Sequence, residues 1–160
     1  MEEIAEALKS LILGGVNAEL SDLEDEQTPL PEIGDKNIVV GTVDLSRYES
    51  PVVASVMPDK IEPDNETIDG FSDKSSFAVA FMFQKAAYPV LVRRMFRYAK
   101  AFRRALEKNP SLSGSVDGAE SGGIEFFPDT GPGGQTVTAC EISVFAKTSE
   151  KVSVNPHTGI

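Results

Sequence analysis

Residues 89–108 carry an apolar stripe and a cationic stripe at helical spacing, a pattern that predicts a long helix with one side in a core. Leu91, Met95, Ala99, Phe102 and Leu106 make the apolar stripe, with Tyr98 beside it, while Arg93, Arg97, Lys100 and Arg104 make the cationic one. Pro89 suits the first turn, where a missing N–H costs nothing, and Asn109-Pro110 ends the helix. Residues 85–108 hold eight cations against one anion, Glu107, a balance of +7 in a chain whose net charge is −10. Charge segregated this sharply points to contact, and Arg93, Arg94, Arg97, Lys100, Arg103 and Arg104 are the candidate contact residues.

Residues 76–83 form the clearest strand: Phe77, Val79, Phe81 and Phe83 share one face, and Ala78, Ala80 and Met82 the other. Large groups on one face predict a sheet covered there by helices. Residues 2–13 read as an amphipathic helix through Ile4, Leu8, Leu11 and Ile12, stopped by Gly14-Gly15. Residues 38–43 and 52–57 read as short strands, the latter between Pro51 and Pro58. Residues 124–127 and 136–146 form a terminal hairpin with a long glycine-rich tip. The acidic stretches 19–36 and 58–75 read as loops, and 148–160 as a flexible tail. The expected fold is a single α+β domain over residues 2–147. It has a mostly antiparallel sheet of four to five strands, with an N-terminal helix and a long central helix on one face.

The charge also divides along the chain. Residues 1–80 carry 18 acids and 5 bases, and residues 81–160 carry 7 acids and 10 bases. Opposite halves suit self-association of copies, with Glu24, Asp25 and Glu26 as the acidic partners of the basic helix. Three readings of that helix stand side by side: a protein contact through arginine–carboxylate pairs, a phosphate contact with nucleic acid, and a solvated face. The acidic balance of the chain and the lack of aromatics interleaved on the cationic face weigh against nucleic acid.

No catalytic constellation, metal or cofactor is expected. The lone Cys140 lies in an apolar strand and reads as a small core residue. The lone His157 has no carboxylate or nucleophile near it in sequence. Gly131, Gly133 and Gly134 lead into a strand without the lysine of a phosphate loop. Asp59, Glu62, Asp64, Glu66 and Asp69 lack the ligand spacing of a calcium loop. No apolar run approaches the ~20 residues of a membrane span, and Met1-Glu2-Glu3 lacks a basic signal-peptide start. A chain made in the cytoplasm is the expectation.

The order of elements resembles that of bacteriophage tail terminator and tail-completion proteins. The resemblance covers residues 2–147: the amphipathic helix, the proline-flanked strand, the aromatic strand leading into a long helix, and the terminal hairpin. It also rests on the helix-closing segment Leu106-Glu107-Lys108-Asn109-Pro110-Ser111-Leu112-Ser113-Gly114-Ser115-Val116. The resemblance implies a structural, cofactor-free virion protein at the tail–neck junction, not an enzyme. It implies a homo-oligomeric ring, commonly a hexamer, that caps the tail tube and joins it to the head–tail connector, with DNA passing only transiently through the lumen. Another neck protein on the portal side is the alternative within the virion, and a nucleic-acid-binding regulator the alternative outside it.

Overall fold

The computed structural model describes residues 1–67, 70–128 and 138–151. Asp69, the glycines at 131–134, most of the hairpin tip and His157 lie outside the described residues.

Five strands form one sheet in the order β1-β2-β3-β5-β4: β1 (Ile38–Val40), β2 (Val52–Thr67), β3 (Gly70–Phe83), β4 (Gly118–Phe127) and β5 (Thr138–Lys151). β1 pairs with β2 in parallel, and every other pairing is antiparallel. The helices are α1 (Glu2–Leu11), α2 (Asn17–Leu23) and α3 (Tyr88–Lys108). This is the expected single α+β domain, with an N-terminal helix, a long central helix and a mostly antiparallel sheet.

The core lies where the alternation of β3 placed it. Phe77, Val79, Phe81 and Phe83 are buried, as are Val52, Ala54 and Val56 of β2 and Cys140, Ile142, Val144 and Ala146 of β5. From the helix layer, Met95, Tyr98, Ala99, Phe102 and Leu106 of α3 join them in one cluster with Ile4, Leu8 and Leu11 of α1. Tyr98 sits edge-on to Phe83 with ring centres 5.1 Å apart and 5.9 Å from Phe81, and Phe81 meets Phe102 at 6.1 Å. Each such buried ring removes enough apolar surface from water to contribute about 2 kcal/mol.

Several boundaries differ from the sequence expectation. Gly14-Gly15 does not end the first helix, because residues Ile12–Val16 form a π-helical turn that runs directly into α2. A Cβ on Gly15 would stand 3.1 Å from the Cβ of Ala105 in α3, so this glycine serves close helix approach rather than termination. The expected acidic loop 19–36 begins inside α2, ends in a 3₁₀ turn (Asp35–Asn37), and lies along α3 between them. The expected acidic loop 58–75 is almost all strand: β2 continues to Thr67 and β3 begins at Gly70. Polar residues on both faces gave that stretch no period to read, and its pairing is carried by the backbone. The expected tail is strand as far as Lys151, paired with Gly70.

α3 closes on a turn in which Leu112 (φ 48°), Ser113 (φ 58°) and Gly114 (φ 89°) are all left-handed. Asn109 holds it by accepting from the Ser113 amide at 2.9 Å, and the Leu112 side chain is buried, which offsets the strain of its backbone.

Candidate functional site

The cations of α3 divide between two sides of the helix. On one side they are fastened to residues 23–29 of the same chain. Arg93 Nε donates to Thr28 Oγ1 at 2.7 Å, Arg94 Nε to the Pro29 carbonyl at 2.9 Å, and Arg97 both to the Leu23 carbonyl at 3.1 Å and to Asp25 Oδ2 at 2.9 Å. Tyr98 donates its hydroxyl to the Pro31 carbonyl, and Lys108 pairs with the buried Glu19. Burial pushes the Tyr98 hydroxyl well above its ordinary pKa.

The acids of the wrapping segment answer in kind. Asp25 Oδ1 accepts from the amides of Gln27 and Thr28, and Glu24 accepts from the Leu30 amide at 2.7 Å. The hydrogen bond from Arg97, with those of the two amides, holds the Asp25 carboxyl below the usual carboxylate range.

Five of the nine candidate interface residues are therefore joined within one molecule: Arg93, Arg94, Arg97, Glu24 and Asp25. Arg94 is only 5% exposed, so it presents no charge to a partner. Acidic and basic segments are complementary, as the charge division implied, but here the complement is intramolecular. A carboxylate already on the same chain reaches these guanidinia without the entropy cost of bringing in a second molecule. Glu26 is exposed and makes no hydrogen bond or ion pair among the described residues.

On its other side α3 meets the sheet edge. Lys100 and Arg103 are exposed, Arg104 is half-buried, and none of the three makes an ion pair or hydrogen bond among the described residues. They border a groove of about 400 Å³ between α3 and β4, floored by Ala99, Ile124 and Phe126 and flanked by Phe96 and Glu107. Phe96 is 52% exposed and Phe126 40%, and their rings meet at a tilt of 55° with centres 5.0 Å apart. Phe127, 44% exposed, points to the opposite face of the same strand end. Phe96 of α3 and Phe126 of β4, beside a sheet edge that no other strand covers among the described residues, form an apolar patch of the kind that marks an interaction surface.

Phe126 and Phe127 were not legible as a site, because the partner of β4 had to be known first. Phe96 was. It lies four, seven and eight residues before Lys100, Arg103 and Arg104, hence on their face of the helix. The expectation that no aromatic stands among the cations is corrected by that spacing.

Other hollows offer less chemistry. One of about 580 Å³ lies beside the π-helical turn and the α3 terminus, and its buried carboxylate, Glu19, is already paired with Lys108. Among the described residues no three His, Cys, Asp or Glu side chains gather as metal ligands, and no helix is long and apolar enough to cross a membrane. On the far half of β2, Glu62 pairs with Lys60 at 2.9 Å and Asp64 with Lys147 at 3.1 Å.

A scan against protein-family models finds no match for this sequence, and neither does a search of curated proteins.

Proposed function

We propose that this chain is a structural subunit of the tail terminator kind, which assembles into a ring on the end of a phage tail tube and joins it to the head–tail connector at the tail–neck junction. In this reading it performs no catalysis, its partners are copies of itself, the tube protein and the connector, and DNA passes through the lumen without being held. The observation that carries the reading is the half-exposed Phe96–Phe126 ring pair beside Lys100, Arg103 and Arg104, at a sheet edge uncovered among the described residues. An aromatic centre rimmed by arginines is the composition favoured at protein interfaces.

Native mass spectrometry and negative-stain imaging of the purified chain, alone and with isolated tail tubes, test it. Closed rings, six-fold if the likeness to terminators extends to subunit number, or capping of tube ends are the expected results. A chain that stays monomeric in solution and leaves tube ends bare overturns the reading.

A second reading has its own observation in favour. Exposed rings next to unpaired cations are also what a single-stranded nucleic acid needs, bases stacking on the rings while phosphates meet the cations. A net charge of −10 opposes it. Binding to single-stranded DNA that weakens steeply with salt, together with failure to assemble, would favour this reading over the ring.

A further inference from the structure

We infer that the groove between α3 and β4 receives the far half of β2, residues 58–67, from the next copy of this chain. The inference rests on the ring reading and supplies its subunit contact.

The groove sets the chemistry of its occupant. Its floor is apolar and aromatic, and its rim carries Lys100, Arg103 and Arg104 against the single acid Glu107. An occupant must bring an exposed apolar side chain flanked by carboxylates, in a shape narrow enough to lie between a helix and a strand edge. Residues 58–67 have that form. They carry four acids, Asp59, Glu62, Asp64 and Glu66, against one base, Lys60. Ile61 stands among them 49% exposed, with no place in its own core. Asp59 is exposed and makes no hydrogen bond or salt bridge among the described residues.

The far half of β2 is also an unpaired strand edge. β1 covers β2 only at Ala54, Ser55 and Val56, so on that side the backbone beyond has no neighbouring strand among the described residues. Open edges of this kind are pairing sites unless they are covered.

The chain cannot satisfy its own groove. Phe126 lies across Cys140 and Phe81 from Ala54, so β2 is three strand spacings away, about 14 Å across the sheet, and Ile61 is a further seven residues, about 23 Å, along it. Donor and acceptor thus sit at diagonal corners of one sheet. A contact between unlike surfaces on the same subunit is head-to-tail, and repeated by rotation it closes into a ring. In residues 19–36, Glu19, Glu24, Asp25 and Asp35 are already held by Lys108, the Leu30 amide, Arg97 and Lys9; in residues 58–67, Glu62 and Asp64 pair with Lys60 and Lys147 at the surface, and Asp59 makes no such bond among the described residues.

Two variants of the full chain test this. Arg103→Glu with Arg104→Glu reverses the rim, and Asp59→Lys with Glu62→Lys reverses the strand. Circular dichroism checks that each remains folded. Sedimentation velocity and native mass spectrometry then read assembly. Each variant alone should associate at least ~10-fold more weakly than the wild type, since like charges now face each other. An equimolar mixture should assemble again into even-numbered alternating rings, because the strand of each variant fits the groove of the other.

Rings of wild-type size from either variant alone overturn this contact while leaving the ring reading intact, as does a mixture that fails to recover. A wild type that never assembles, in solution or on tail tubes, overturns both. Binding of single-stranded poly-dT that is lost in the Arg103→Glu, Arg104→Glu variant, without self-association of the wild type, assigns the groove to a different occupant and overturns the contact.

Discussion

Arg97 reaches Asp25 at 2.9 Å and in the same gesture caps the Leu23 carbonyl at the end of α2 at 3.1 Å. One guanidinium thereby closes a short helix and fixes the acidic segment that follows it. Arg97→Ala should lower stability by about 1–2 kcal/mol, read as a lower urea midpoint at unchanged slope. Asp25→Asn should act in the same direction and less strongly, because that carboxylate is half in water. The pH dependence has a definite sign. The fold holds the Asp25 carboxyl below its ordinary value, so its contribution is complete above the usual carboxylate range and is lost as pH falls through the lowered value. The stability gap between wild type and Asp25→Asn should therefore shrink in acid, and a gap that widens there would refute the assignment.

The two adjacent glycines should respond oppositely to alanine. A Cβ at Gly14 meets nothing within 4 Å, whereas one at Gly15 meets Ala105 at 3.1 Å and Leu11 at 3.2 Å. Gly14→Ala should stabilise by about 0.5–1 kcal/mol through helix propensity. Gly15→Ala should gain less or destabilise, since α3 must give way by a few tenths of an ångström, and a larger side chain such as valine there should cost about 1–3 kcal/mol. Thermal or urea unfolding of the pair decides it, and equal effects at both positions would refute the close-approach role.

Those glycines also show where the sequence was readable. Strand β3 and helix α3 declared themselves because Phe77 to Phe83 alternate and Leu91 to Leu106 recur at helical spacing, each against a single core face. Gly14-Gly15 looked like a stop because a glycine pair ends a helix whenever nothing needs its small size, and Ala105, ninety residues away in the chain, was the reason it does not. The stretch 58–67 looked like a loop because residues 58–64 are exposed on both faces of that strand, which leaves no apolar alternation to read. The acids of 19–36 looked solvating because their real partners, the amides of Thr28 and Leu30 and the guanidinium of Arg97, have no sequence pattern. The candidate site divided in the same way: Lys100, Arg103 and Arg104 were in view from the start, while Phe126 emerged only once β4 was seen beside α3.

Cys140 should be silent toward thiol reagents in the native state. It is fully buried at the centre of β5, and burial pushes its thiol up to about 12. The reactive thiolate is then scarce at neutral pH and the sulfur is out of reach. Labelling should stay slow up to the onset of the urea transition and rise with it. Fast labelling of the folded chain would contradict the burial.

Lys108 and Glu19 should show an asymmetry that follows from where each side chain lies. The Glu19 side chain is 6% exposed and that of Lys108 69%. Removing the lysine strands a carboxylate against the helix layer, whereas neutralising the glutamate frees a lysine that is already largely in water. Lys108→Ala should therefore cost more than Glu19→Gln, about 1–3 kcal/mol against less than 1. The double variant should recover most of the loss, because no charge is then left without its partner. Urea titrations of the three variants give the coupling directly, and strictly additive effects would refute the pairing.

Phe96 separates assembly from folding. Its ring is 52% exposed and meets Phe126 outside the main cluster, so folding gains little from it. Phe96→Ser should change stability by no more than about 0.5–1 kcal/mol, as expected at a surface position. An anchor at the centre of an interface behaves differently, because its ring leaves water only when the partner arrives, and truncating such a residue typically costs 2 kcal/mol or more of association, roughly 30-fold in affinity. The expected pair of results is an unfolding midpoint near that of the wild type and a loss of assembly. Phe127→Ser, on the opposite face of β4, is the matched control and should weaken assembly less. A variant at Phe96 that unfolds readily yet assembles normally would show that the ring belongs to the fold and not to an interface.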